Sequence, residues 1–170
     1  TLVARLSAAR PKIASYPFTT LVPTLGLVRV DEERSFVIAD IPGLIPGASE
    51  GKGLGLRFLR HVERTRVLVH LLDLDPATGR DPVEDWRLIQ HELAEYSPEL
   101  ARRPQILAAN KVDVEGSQPR LERVRALAER EGLPLVSISA RMGAGLDELR
   151  GTIAGLLAGP PARRPARALG

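Results

Sequence analysis

ILAANKVD, Ile106 to Asp113, reads as a short apolar strand that ends in three polar groups, Asn110, Lys111 and Asp113. Open α/β sheets bind ligands outside the carboxyl ends of their strands, so a strand that stops in this way points to a binding edge. The tetrapeptide Asn110-Lys111-Val112-Asp113 has a specific chemical use. A carboxylate at Asp113 can accept two parallel hydrogen bonds from the N1–H and exocyclic amine of guanine. Adenine lacks that donor pair and would leave the carboxylate unmet. Asn110 can tie neighbouring loops together, and the aliphatic stem of Lys111 can lie flat along a base. A solvated loop after a strand would also explain these four residues, so the rest of the chain has to decide.

Downstream and upstream of this stretch the pattern is mostly α/β. Val67 to Leu74, VLVHLLDL, is a near-continuous apolar strand of the kind covered on both faces. Asp81-Pro82-Val83-Glu84 opens a helix, with Asp as N-cap, Pro at the first position and Glu in the capping-box position. Its apolar side is Val83, Trp86, Ile89 and Leu93. A helix over Arg120 to Glu131 stops at Gly132, Leu135 to Ser139 is a strand, and Leu146 to Leu157 a last helix. Strands alternating with helices predict a parallel sheet with right-handed crossovers.

The first third of the chain is built differently. Thr1 to Ala9 has helical spacing, with Leu2, Leu6 and Ala9 on one side. Arg10 to Gly26 carries Pro11, Pro17 and Pro23 and reads as an extended loop. Leu25 to Val30 and Ser35 to Ile41 form an antiparallel hairpin across Asp31-Glu32-Glu33-Arg34. Leu44 to Gly55 is rich in glycine, and Leu56 to Arg66 is a basic amphipathic helix. Residues 159–170, GPPARRPARALG, read as a Pro/Arg-rich linker or tail.

Composition narrows the classes. A chain of 170 residues is one domain with a real core. It has no cysteine, which excludes disulfides, zinc–thiolate clusters and a thiol nucleophile. No apolar run approaches the roughly 18 residues of a membrane span, so a cytoplasmic protein is expected. A net charge of +3, with lysine only at positions 12, 52 and 111, is weak support for a nucleic-acid surface. Arg57, Arg60, Arg64 and Arg66 are better read as a solvated helix face than as an RNA contact, and His70 as a core residue within a strand.

Three apolar strands end in polar groups in the order Asp40-Ile41-Pro42-Gly43, Asn110 to Asp113, and Ser139-Ala140. On one edge of a sheet they would share a crevice. In a DxxG pattern the Asp can hold Mg²⁺ through a water, and the Gly amide can face a terminal phosphate where a side chain would clash. DxxG alone is common; DxxG, NKxD and SA in this order is far more specific.

With these motifs the chain resembles the G domain of translation-factor-class GTPases, and within them the Obg family. The resemblance is carried by Pro11-Lys12-Ile13-Ala14, Tyr16-Pro17-Phe18-Thr19-Thr20-Leu21, Asp40-Ile41-Pro42-Gly43, the run Gly47 to Gly55 (GASEGKGLG) and Phe58-Leu59-Arg60-His61. It implies an α/β P-loop NTPase fold of Ras-like topology, a mostly parallel sheet with one antiparallel hairpin strand, over residues 1–158. It also implies roles for matching positions. Thr20 would coordinate Mg²⁺ and the γ-phosphate, with Phe18, Thr19, Leu21 and Val22 lining the nucleotide. Asp40, through a water on Mg²⁺, with Ile41, Pro42 and Gly43, would sense the γ-phosphate. Asn110, Lys111, Val112 and Asp113 would select guanine, and Ser139, Ala140 and Arg141 would back the base. A monomeric GTP/GDP switch with slow Mg²⁺-dependent hydrolysis follows, acting with rRNA and ribosomal proteins in assembly of the large ribosomal subunit.

Two departures qualify that picture. No GxxxxGK[ST] loop is present; Gly47 to Gly53 has the wrong spacing and follows DxxG. In the family that loop ends directly before the residue matching Thr1, with the first, central strand before it. The expectation is therefore a piece of a longer protein whose sheet lacks its central strand, leaving two unpaired edges and a severe loss of stability. Leu44 stands where Ras-like enzymes orient water with Gln, so catalysis would be completed by another group or a partner. Two alternatives stay open: a GTPase of the related developmentally regulated, Obg-like branch, and a non-catalytic ribosome- or RNA-binding module.

Overall fold

Ile106, Leu107, Ala108 and Ala109 are all completely buried, which a strand achieves only when both of its faces are covered. They belong to the central strand of a parallel three-stranded sheet. In this computed structural model, which describes residues 2–13, 24–40, 60 and 62–159, that strand spans Gln105–Asn110. With the chain's strands numbered in order it is β5, paired to β4 (Leu68–Asp73) on one side and β6 (Leu135–Ile138) on the other.

Alternation along β5 divides the core. Leu107 and Ala109 join Leu72, Val83, Trp86, Val124 and Leu127 in one layer. Ile106 and Ala108 join Leu6, Val28, Val136, Leu149 and Ile153 in the other. Each fully buried Leu or Ile contributes about 1.5–3 kcal/mol by leaving water. The first layer is roofed by α2 (Pro82–Tyr96) and α4 (Gln118–Glu131), the second by α1 (Leu2–Leu6) and α5 (Leu146–Ala158). The short α3 (Pro98–Ala101) leads into β5, and its Leu100 packs with Val62 and Leu93.

Local chemistry explains the ends of these elements. Asp81 caps α2 by accepting the Val83 N–H at 2.9 Å, while Glu84 pairs with Arg87 on the helix surface. Gly132, in the left-handed region at φ 65, closes α4. At the hairpin turn, Asp31 Oδ1 accepts the N–H groups of Glu33 at 3.0 Å and Arg34 at 2.8 Å. That turn joins β2 (Thr24–Arg29) to β3 (Ser35–Asp40), whose register sets Val28 opposite Phe36 and Thr24 opposite Asp40.

Three details depart from the pattern expected of the sequence. The first helix ends at Leu6 and does not run on to Ala9. Ala8 gives its N–H to the Leu27 carbonyl at 2.8 Å, so this backbone donor serves β2 and not the helix. Gly26 permits that approach, because a Cβ there would lie 2.0 Å from Ser7 Oγ and 2.8 Å from Val3 Cγ1. Secondly, Lys12–Ile13, within the expected loop, is a short strand β1 paired antiparallel to β2.

The third concerns the sheet. Among the described residues the strands make two three-stranded sheets, β1-β2-β3 and β4-β5-β6. No described strand is hydrogen-bonded between β3 and β4. Apolar packing joins the two sheets instead: Val28, Phe36 and Ile38 share a cluster with Ile106 and Val136. Of the helix expected at 56–66, residues 56–59 and 61 lie outside the described residues, and residues 63–66 are turn and irregular structure, not helix; the tail from residue 160 also lies outside the described residues.

Candidate functional site

The parallel register brings the carboxyl ends of β4, β5 and β6 to one edge, with Asp73 opposite Asn110 and Asn110 opposite Ile138. The loops that leave these ends surround a cleft of about 620 Å³. Asp75, Asn110, Lys111, Asp113, Ser139 and Arg141 line it, together with Ala140, Val114 and, from α1, Ala4 and Arg5. Its size is that of a small-molecule site. Another cavity, of about 430 Å³, lies between α4, β6 and α5 against Arg125, Glu129, Ser137 and Glu148. None of the motif residues reaches it.

The loop after β5 is tied down on several sides. Asn110 Oδ1 accepts the Ala140 N–H at 3.0 Å, and the Val112 N–H reaches the Ile138 carbonyl at 3.3 Å. Ser117 donates its hydroxyl to the Val112 carbonyl at 3.2 Å. Lys111 adopts φ 72, in the left-handed region that non-glycine residues avoid. Its Nζ lies 2.8 Å from Asp73 Oδ2 and 3.8 Å from Asp75 Oδ2. That ammonium is held above its ordinary pKa, first by the hydrogen bond to Asp73.

Asp113 stands exposed at the cleft. Its carboxyl is held below the usual aspartate value, first by the Ser139 hydroxyl, then by its own backbone amide and the nearby Arg141 and Lys111 charges. It is thus an ionised acceptor at the cleft, exposed to solvent and held beside the Ser139 hydroxyl. Ser139 is almost fully buried at 1% exposure, and its loop is closed by Ser139 N–H to Ala144 O at 3.0 Å and Gly143 N–H to Ser139 O at 2.8 Å. Met142 donates its N–H to Ser139 Oγ at 3.1 Å. The Arg141 carbonyl accepts a hydrogen bond from the Arg5 guanidinium, which latches α1 to this loop.

The structure therefore brings together Asn110, Lys111, Asp113, Ser139, Ala140 and Arg141, with Val112 in the same loop. Asp40 is exposed at the end of β3 and does not line the cleft. Phe18, Thr19, Thr20, Leu21, Val22, Ile41, Pro42, Gly43 and Leu44 lie outside the described residues. Sequence reasoning missed Asp73, Asp75, Val114, Ala4 and Arg5. The signal for the first two was present, because Asp73-Leu74-Asp75 ends an apolar strand as Asn110 does. His70 is buried, its Nε2 2.9 Å from Gln105 Oε1, and takes no part in the cleft. No group of three metal-ligating side chains occurs among the described residues, and none of their helices is long and apolar enough to cross a membrane.

Comparison with known proteins gives the family. Among relatives, GTPase Obg of Moorella thermoacetica is 56% identical over 170 residues, 99% of this chain and 39% of that protein. GTPase Obg of Desulforudis audaxviator is 58% identical over 151 residues, 88% of this chain and 35% of that protein. The chain thus spans well under half the length of these relatives. Among solved structures, the cytosolic domain of the T. maritima FeoB iron transporter in its GMPPNP form superposes with a TM-score of 0.69 at 17% identity, covering 96% of this chain and 61% of that one. The cytosolic domain of L. pneumophila FeoB gives 0.63 at 16% identity, over 91% and 62%. At such identities the likeness is one of fold: the P-loop GTPase G domain. The sequence model of the 50S ribosome-binding GTPases matches residues 1–111, and on this match and its likeness to the Obg proteins the chain belongs to that family.

Proposed function

We propose that this chain is the guanine-reading part of a GTP-binding switch that hydrolyses GTP slowly and acts in assembly of the large ribosomal subunit. One observation carries the nucleotide reading. Asp113 presents an ionised carboxylate at a cleft whose walls are Asn110, Lys111 and the Ser139–Arg141 loop. A planar ring with two adjacent N–H donors satisfies that acceptor, and guanine has them. The relatives named GTPase Obg and the family's description as 50S ribosome-binding support the activity and the ribosomal partner.

Mg²⁺ belongs to the same proposal. The Asp40 carboxylate, exposed at the carboxyl end of β3, suits contact with the ion through a water, and Thr20 would be its direct ligand. The ion would neutralise phosphate charge as the β–γ bond is broken. This chain's own described residues act on the base. Asp113 accepts its donors, Lys111 covers one face, and Asn110 holds the two loops at the spacing the ring requires. A cytoplasmic location and a monomeric state complete the reading.

The test is base exchange in the full-length protein. Asp113→Asn replaces one acceptor oxygen with a donor. It should weaken GDP binding by about a hundredfold or more and favour xanthosine diphosphate, whose C2 oxygen accepts. GDP affinity unchanged in that variant would end the base-reading assignment.

A further inference from the structure

Lys111 is held by a carboxylate that no motif marks. Asp73 is the last residue of β4 and lies opposite Asn110 across the parallel ladder. Its Oδ1 accepts the Asp75 N–H at 2.9 Å, and its Oδ2 lies 2.8 Å from Lys111 Nζ. The intervening Leu74 gives its N–H to the Asn110 carbonyl at 3.0 Å. The turn that carries the carboxylates is thus laced to the turn that carries the lysine. Lys111 is also the one non-glycine residue with positive φ among those described. That conformation is strained for an L-residue and persists where its surroundings over-determine it.

We propose that Asp73 is a positioning residue for Lys111: by anchoring the ammonium, it sets the four-carbon stem along the cleft wall beside Asp113 before any ligand arrives. The proposal rests on the guanine-nucleotide reading above. A free lysine side chain, with four rotatable bonds, holds considerable rotamer entropy. A stem already pinned to Asp73 has lost that freedom in advance, so a base that packs on it meets a formed surface. The pair itself does little for the fold. Both side chains are about 40% exposed, and exposed ion pairs contribute little to stability. Asp75, with Oδ2 at 3.8 Å, reinforces the charge without replacing the contact.

The experiment is a double-mutant cycle on the full-length protein, read by the release rate of fluorescent mant-GDP and by melting temperature. Asp73→Asn keeps an oxygen for the Asp75 amide but removes the charge. Release should quicken about fivefold to tenfold, with the melting temperature of the apo protein unmoved. Lys111→Met should quicken it too, and adding Asp73→Asn to Lys111→Met should change nothing more. Asp73→Glu should recover part of the loss. Additive effects, an unaltered release rate in Asp73→Asn, or a fall in melting temperature that accounts for the change would each overturn the positioning role. A wild-type protein that binds mant-ADP as well as mant-GDP would instead sink the nucleotide reading itself.

Discussion

The side-chain oxygen of Asn110 accepts the backbone N–H of Ala140 at 3.0 Å, so one amide joins the end of β5 to the loop after β6. Ala140 is only 8% exposed, and water has little access to the donor if the partner is lost. Asn110→Ala should therefore cost about 1–3 kcal/mol of stability, the penalty of an unmade buried hydrogen bond. Asn110→Asp keeps an acceptor at the same place and should cost less. Urea unfolding followed by the fluorescence of Trp86, the chain's one tryptophan, measures both. Equal losses in the two variants would show that the Ala140 contact does not matter.

Gly145 and Gly143 separate backbone conformation from crowding in the same loop. Both have positive φ, 74 and 81. A Cβ at Gly145 would lie 2.2 Å from the Ser137 carbonyl oxygen, whereas one at Gly143 would meet nothing within 4 Å. Gly143→Ala should cost roughly 1 kcal/mol, the strain of the left-handed region alone. Gly145→Ala adds a clash with backbone that cannot rotate away, and should cost about 3 kcal/mol or more while shifting α5 against β6. Comparable melting temperatures for the two variants would contradict this.

His70 makes the fold acid-sensitive. Burial pushes its imidazole down to about 4 from the ordinary 6.5, although the Gln105 contact opposes the shift. Above pH 6.5 both folded and unfolded rings are neutral and the residue adds no pH dependence. Between 6.5 and 4 the unfolded chain takes up a proton that the folded one refuses, so stability falls as pH falls. The loss reaches roughly 3 kcal/mol at the lower end. His70→Gln leaves a donor for Gln105 without a titrating group. Its stability should fall less steeply between pH 6.5 and 4, and parallel curves for the two proteins would refute the assignment.

These residues also show how far the site can be read without coordinates. The strand through Ile106 to Ala109 is legible because a continuous apolar run between polar ends has few other uses, and α2 is legible from Asp81-Pro82. Asn110, Lys111, Asp113 and Ser139 follow from the rule that strand ends face ligands. Asp73 obeys the same rule, but its value comes from lying opposite Asn110 in the parallel register and within reach of Lys111. Nothing local in DLD announces either fact. Arg5 is invisible for another reason: helical periodicity sets Leu2, Leu6 and Ala9 on one side, of which only Leu6 is fully buried, and says nothing of what an exposed arginine touches. The early end of α1 depends on Leu27 capturing the Ala8 amide, a contact between segments far apart in sequence. The two-residue strand at Lys12–Ile13 is too short to have a period.

Arg103 joins the segment that follows DxxG in sequence to the strand that leads to NKxD. Its Nη1 donates to the carbonyls of Val62 at 3.1 Å and Glu63 at 2.8 Å, and also to that of Thr65. Two nearby contacts support the junction. Leu100 and Leu93 pack on Val62, and the Tyr96 hydroxyl donates to Glu63 Oε1 at 2.6 Å. Carbonyls at the end of a helical turn need donors, and a guanidinium can serve several at once from a fixed plane. Arg103→Met keeps the stem and removes the donors. It should lower stability by about 2 kcal/mol, within the range for hydrogen bonds to a charged group. Backbone amides in 62–66 should also exchange faster with solvent than those of β5, whose ladder is untouched. Arg103→Lys offers a charge without the fork, so it should restore only part of both effects. If exchange rises equally in β5, the residue supports the domain as a whole, and its place as an anchor for this one segment is lost.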